Sequence, residues 1–304
     1  MVVWGKPKSG KTFWVLDLVL HIASGMSYRG RAVEHSPVFY CAFEGMYAFP
    51  DRIAAMADHL GIAGTDVPFF YCPTHERFTK VGGAAGLIRA IQETGYSPGA
   101  VVWDTLNMSF EGEENSGEDM AFYTKCAADV SDIFDCVVIV VHHCGVEGTR
   151  PRGHTSLTGT CDAQLRVERA TKVSTPGSAI MIQTKVEFMK DGPEGLIEFS
   201  WLQPANGIDS CYVEPAPAPS TKPDGMFTSH TQKAISILQK AADRTGDSRM
   251  TIEEWRSAFR NLHKGDKDSA NRTFNRAYAR LRESGSIDIV DNIHVELSDR
   301  RRAE

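Results

Sequence analysis

The chain has 304 residues, 42% hydrophobic and 24% charged, which is an ordinary globular composition with room for about two domains. No apolar run approaches the roughly 20 residues of a membrane helix, and the N-terminus lacks a signal-peptide layout, so no membrane-spanning helix is expected. The net charge of −6 is unevenly spread: residues 1–225 carry 18 Lys and Arg against 27 Asp and Glu, and residues 226–304 carry 15 against 12. Seven scattered cysteines include no CxxC pair, so neither a disulfide framework nor a zinc site is indicated, and a reducing cytoplasm is expected.

In chain order, Val2-Val3-Trp4 reads as a short buried strand. It runs into Gly5-Lys6-Pro7-Lys8-Ser9-Gly10-Lys11-Thr12, which spells G-x-x-x-x-G-K-[ST]. Gly5 and Gly10 let the backbone curl so that N–H groups converge on a phosphate. Lys11 can reach the β- and γ-phosphates, and the Thr12 hydroxyl can hold Mg2+. Phe13, at the end of the nucleotide-binding stretch, opens an apolar stripe with Leu16, Leu20 and Ala23, so a helix is expected from Thr12 to about Ala23. The first strand begins at residue 2, and an upstream start or a longer parent chain is expected.

Pro37–Phe43 is the second predicted strand, ending on Glu44-Gly45, and a helix follows from Pro50 to Leu60. Residues 67–71 are a third strand, 84–94 a helix, and Ala100–Trp103 a fourth strand ending on Asp104. Residues 109–118 read as an acidic loop and 119–134 as an amphipathic helix. Cys136–Val141 is a continuous apolar run, as expected of a strand buried on both faces, and it ends on His142-His143. Strands alternating with helices predict a parallel α/β sheet, with ligands at the strand C-termini. Residues 145–160 read as a mobile loop. Residues 163–169, 178–185 and 195–201 read as antiparallel additions to the sheet. The stretch around Pro215-Ala216-Pro217-Ala218-Pro219-Ser220 reads as a linker, giving domains 1–204 and 228–304 joined by 205–227. The tail is expected to fold as three helices, the second opened by a Thr251–Glu254 capping box, and a hairpin.

Several residues are candidates for chemistry. Asp104 suits a Mg2+-holding acid at a strand end, and Glu44 suits a base that activates water. His143 suits a sensor of nucleotide state; adjacent strand residues point to opposite faces, so His142 and His143 cannot share the site. Lys185 and Lys190 could reach a neighbouring subunit's nucleotide, or belong to a solvated hairpin. Arg150 and Arg152 suit phosphate contacts with nucleic acid. Arg272, Arg276 and Arg280 recur every four residues, opposite Phe274, Ala277, Tyr278 and Leu281. That is the layout of a recognition helix in a winged helix-turn-helix domain, or of a solvated face on a protein-binding module.

The order P-loop, Glu44, Asp104-Thr105 and Val140-Val141-His142-His143 resembles the RecA-like AAA_25 ATPases, typified by plasmid RepA-type hexameric replicative helicases. Tyr40–Gly45 with Arg52-Ile53, Trp103–Leu106, Glu113–Ser116 with Asp119-Met120, and Arg152-Gly153 with Asp162 also match. The resemblance implies a RecA-like fold, ATP and Mg2+ as ligands, Glu44 as base and Asp104 as Walker B acid. It implies that His143 couples hydrolysis to DNA loops and that Lys185 or Lys190 acts in trans. Val146 stands where such proteins often have Lys, and His154-Thr155 where Ser-Ser is usual. The function expected is that of a phage or mobile-element DNA helicase: a homo-hexameric ring on single-stranded DNA, working with other replication proteins. A recombinase or repair ATPase, a nucleotide-switched DNA-binding regulator and an incomplete prophage ATPase remain alternatives.

Overall fold

A computed structural model describes residues 1–145, 147–170, 178–218, 229–245, 249–262, 266–283, 286–291 and 293–297. The chain divides into two compact units, residues 1–219 and 220–304.

Among the described residues the first unit forms a nine-stranded sheet in the order β3-β2-β4-β5-β1-β6-β7-β8-β9. The strands are β1 (Val2–Gly5), β2 (Val38–Ala42), β3 (Phe69–Pro73), β4 (Ala100–Asp104), β5 (Val137–His143), β6 (Ala163–Arg169), β7 (Ile180–Met189), β8 (Ile197–Pro204) and β9 (Cys211–Ala216). The helices are α1 (Lys11–Ser24), α2 (Phe49–His59), α3 (Ala85–Glu93), α4 (Leu106–Ser109), α5 (Gly117–Phe134) and α6 (Ser156–Thr160). All six strands from β3 to β6 run parallel.

Two apolar layers sandwich the sheet because its side chains alternate. Val3, Val102, Ile139 and Val141 face α1 and α2, against Leu16, Val19 and Met56. Trp4, Val101, Trp103 and Val140 face α3 and α5, against Ile91, Met120 and Tyr123. The apolar run of β5 is therefore needed on both faces. Helix α5 is capped as its sequence suggests: the Ser116 hydroxyl accepts the Asp119 N–H at 3.3 Å.

The sequence reading needs correcting at two points. Strand β6 is parallel to β1, not antiparallel; in this sheet the antiparallel pairs are β6–β7, β7–β8 and β8–β9. The segment between β5 and β6, carrying α6, returns the chain to the opposite edge of the sheet before β6 begins. Residues 211–216 are not linker but strand β9, paired with β8. Pro215 is tolerated there because β9 ends the sheet's strand order and a proline needs no ladder donor on an unpaired side. The expected linker residues 219–227, and Val146, lie outside the described residues.

The second unit has α7 (Ser229–Thr245), α8 (Ile252–Leu262) and α9 (Lys267–Glu283), with strands β10 (Met250–Thr251), β11 (Ile287–Val290) and β12 (His294–Leu297) in the order β10-β12-β11. The capping box is formed: the Glu254 N–H donates to Thr251 Oγ1 at 3.1 Å, and the Thr251 N–H donates to Glu254 Oε2 at 2.9 Å. Trp255, Phe259, Phe274 and Leu281 fill its core.

Trp103 is fully buried between the rings of Phe78 and Tyr123. Trp103→Ala is expected to cost the first unit about 3–5 kcal/mol, read as a lower urea midpoint.

Candidate phosphate-binding site at the strand ends

The parallel register sets the site. Gly5 lies opposite His143, Ala42 opposite Asp104, and Asp104 opposite Val141. Three polar strand ends and the loop after β1 thus meet on one edge. In that loop Lys8 and Gly10 have φ of 61° and 98°, in the left-handed region. A Cβ on Gly5 would sit 2.1 Å from the Val167 carbonyl oxygen, so only glycine fits there. Helix α1 starts with no side-chain cap and no acidic residue in its first turn. Its N-terminal N–H groups and dipole are left for an anion.

Lys11 is buried, and its Nζ donates to the carbonyls of Gly5 at 3.1 Å and Lys6 at 3.0 Å. Burial lowers its pKa. The Lys11 Nζ also lies 3.5 Å from His143 Nδ1, and His143 Nε2 lies 3.7 Å from Glu44 Oε1. His143 thus stands between the loop lysine and the strand-end carboxylate. Its proximity is the main influence holding the half-exposed Glu44 below the usual carboxylate range. Glu44 is ionised near neutrality, as a proton acceptor must be.

Asp104 is buried and accepts two hydrogen bonds on Oδ2, from the Thr12 hydroxyl at 2.8 Å and the Tyr40 hydroxyl at 2.7 Å. Its Oδ1 is buried with no hydrogen-bond partner. Burial raises its pKa, against the pull of those two hydroxyls. The cavity in front of these groups has a volume of about 480 Å3. Arg52 and Arg169 also line it. Arg52 lies over the Phe13 ring at 5.3 Å, and the Arg169 Nε donates to the Lys8 carbonyl at 2.9 Å.

The residues singled out from the sequence divide into two groups. Lys8, Ser9, Gly10, Lys11, Thr12, Phe13, Glu44, Asp104 and His143 all line the cavity, with Gly5, Lys6 and Pro7 forming the start of the loop. Lys185 and Lys190 do not: Lys185 is exposed on β7, and Lys190 pairs with Asp162 at 2.6 Å. Arg150 donates to the Gly153 carbonyl at 2.9 Å, and Arg152 is held by Glu114. Arg272, Arg276 and Arg280 are exposed on α9, while Phe274, Ala277 and Leu281 are buried. Two further side chains at the site, Arg52 and Tyr40, escaped sequence reasoning as site residues. Arg52 left only its charge as a signal. Tyr40 was legible as a lone hydroxyl inside an apolar strand, on the same parity as Ala42.

His142 faces the other way, as strand alternation requires. It is buried, and its Nε2 bonds the Arg152 carbonyl at 2.8 Å. Burial pushes its pKa down to about 4, from 6.5.

Residues 1–149 match the family model AAA_25, an AAA domain. No curated protein matches the chain. Among solved structures, a KaiC-like protein from the hyperthermophilic archaeon Pyrococcus horikoshii OT3 is similar, at 10% identity and a TM-score of 0.44, over 70% of this chain and 88% of that one. The strand order, the loop and the family match make the first unit a RecA-like P-loop NTPase fold. No helix among the described residues is long and apolar enough to cross a membrane.

The buried His142 has a stability consequence. The folded state binds fewer protons than the unfolded state between pH 6.5 and about 4, so stability falls as pH drops through that window. Asp17, raised to about 6 by burial, acts in the opposite sense over part of the range. Comparison with His142→Asn therefore isolates the histidine. Between pH 7 and 4.5 the wild type is expected to lose about 2 kcal/mol more than the variant, measured by urea unfolding at each pH.

Proposed function

We propose that the protein hydrolyses ATP and couples hydrolysis to single-stranded DNA, as a ring-shaped replicative helicase of a phage or mobile element. The observation that carries the ATPase reading is the convergence of Lys11, Thr12, Glu44, Asp104 and His143 on one cavity. ATP binding would draw Lys11 from the Gly5 and Lys6 carbonyls toward the β- and γ-phosphates. The unpartnered Asp104 Oδ1 and the adjoining Thr12 hydroxyl fit Mg2+. The ion would supply positive charge to the phosphates as negative charge shifts in the transition state.

Glu44 takes a proton from water as the water oxygen bonds to the γ-phosphorus. The bond to the β,γ-bridging oxygen breaks, leaving ADP and phosphate. His143, within reach of both Lys11 and Glu44, senses which state the site is in. Among the described residues, no lysine other than Lys8 and Lys11 lines the cavity. That supports supply of Lys185 or Lys190 by a neighbour in a homo-hexamer, Lys190 first leaving Asp162. Three helices and a hairpin suit a winged helix-turn-helix, with Arg272, Arg276 and Arg280 toward DNA phosphates. The same Arg face favours a second reading, a DNA-binding regulator whose ATPase sets its oligomeric state.

The test is ATP turnover with and without single-stranded DNA. Glu44→Gln is expected to lower kcat by about 10²–10⁴-fold while ATP binding persists. DNA-stimulated turnover, lost in Glu44→Gln, supports the motor. Turnover that ignores DNA, beside a footprint at a defined duplex site, moves the assignment to the regulator.

A further inference from the structure

The segment 144–155 is tied to the segment 110–117 by a set of contacts that sequence spacing does not reveal. The Arg152 guanidinium grips Glu114 through two bonds: Nη2 donates to Oε1 at 2.7 Å and Nε donates to Oε2. The backbone follows the side chains. The His154 N–H donates to the Glu114 carbonyl at 2.7 Å. A Cβ on Gly153, at φ 92°, would sit 2.6 Å from that same oxygen. The two segments therefore touch with no room for another side chain.

The tie also reaches the phosphate site. The Arg152 N–H donates to the His143 carbonyl at 3.0 Å, and His142 Nε2 bonds the Arg152 carbonyl at 2.8 Å. A Cβ on Gly148 would lie 2.6 Å from Lys6 Cε, so the segment rests on the P-loop itself.

The balance of charge and exposure is uneven. The Glu114 side chain is 12% exposed and the Arg152 side chain 42%. Among the described residues Lys6 and Arg150 form no ion pair. One carboxylate thus sits on Arg152, whose backbone bonds both His142 and His143, and the guanidinium stays open on its outer side. A planar guanidinium binds a carboxylate and a phosphate with the same two-pronged geometry.

We propose that Glu114 is an internal stand-in for a phosphodiester. It occupies Arg152 in the free protein, and a phosphate of single-stranded nucleic acid displaces it, releasing the two segments from each other. The inference rests on the nucleic-acid reading above and adds to it a built-in competitor. The direction of one variant separates it from a merely structural ion pair. If Glu114 only ordered the segments, neutralising it would weaken binding; as a competitor, neutralising it tightens binding.

The experiment is fluorescence anisotropy of a labelled oligo-dT with the full chain, at several salt concentrations. Glu114→Gln is expected to bind about 2–5-fold tighter than wild type, the range of a surface ion pair removed from competition. Arg152→Gln is expected to bind more weakly, with a salt slope smaller by about one, and the double variant to match it. Equal or weaker binding by Glu114→Gln, with an unchanged melting curve, overturns the proposal. If that variant melts early, Glu114→Asp replaces it, since it keeps the charge and shortens the reach; it must also bind tighter than wild type, and equal or weaker binding again overturns the proposal. Absence of binding by every protein at low salt removes the nucleic-acid reading as well. DNA-stimulated ATP turnover that is indifferent to Glu114 leaves that reading standing and removes only the competitor.

Discussion

The first unit depends on β5 lying between β4 and β1 in parallel register. A strand buried on both faces has no freedom to slip by one residue, because a slip would exchange its two sets of side chains. In β5 that exchange would move Ile139 and Val141 out of one apolar layer and Val140 out of the other. It would also turn His143 away from Lys11. The packing energy of valines and isoleucine therefore fixes which histidine meets the phosphate loop.

Charge is then concentrated where burial makes it consequential. Lys11 and Asp104 are both buried, and each is pushed by burial toward its neutral form. What keeps them useful is local: the carbonyls of Gly5 and Lys6 hold the ammonium, and the hydroxyls of Thr12 and Tyr40 hold the carboxylate. Glu44, outside this buried pair and beside His143, is shifted the other way and stays ionised. One small volume thus holds a buried ammonium, a buried carboxyl and an ionised carboxylate, each set by a different surrounding.

The same alternation that aims His143 at the site aims its neighbour away from it. His142 and His143 are consecutive, yet one bonds the backbone of Arg152 and the other contacts Lys11 and Glu44. The end of β5 thus makes contacts on both faces of the sheet. That gives a short covalent path between the phosphate loop and the segments joined by Arg152 and Glu114.

Much of this was legible in the residue order, because it is local. The G-x-x-x-x-G-K-T loop, the strand-end positions of Glu44, Asp104 and His143, and the Thr251–Glu254 box all depend on neighbours within a few positions. The helix and strand periods depend on the same short range. What only the tertiary structure decided depends on contacts between distant segments. Strand β6 is parallel because of the path its crossover takes, which no strand pattern encodes. Residues 211–216 became a strand because β8 offered an edge to pair with, against the local preference of a Pro-rich stretch. Tyr40 and Asp104 are 64 residues apart, and Glu114 and Arg152 are 38 apart. Charge and hydroxyl content name such residues as capable of bonding, but only the packed sheet selects the partner, because partner choice follows from which loops the strands bring to one edge.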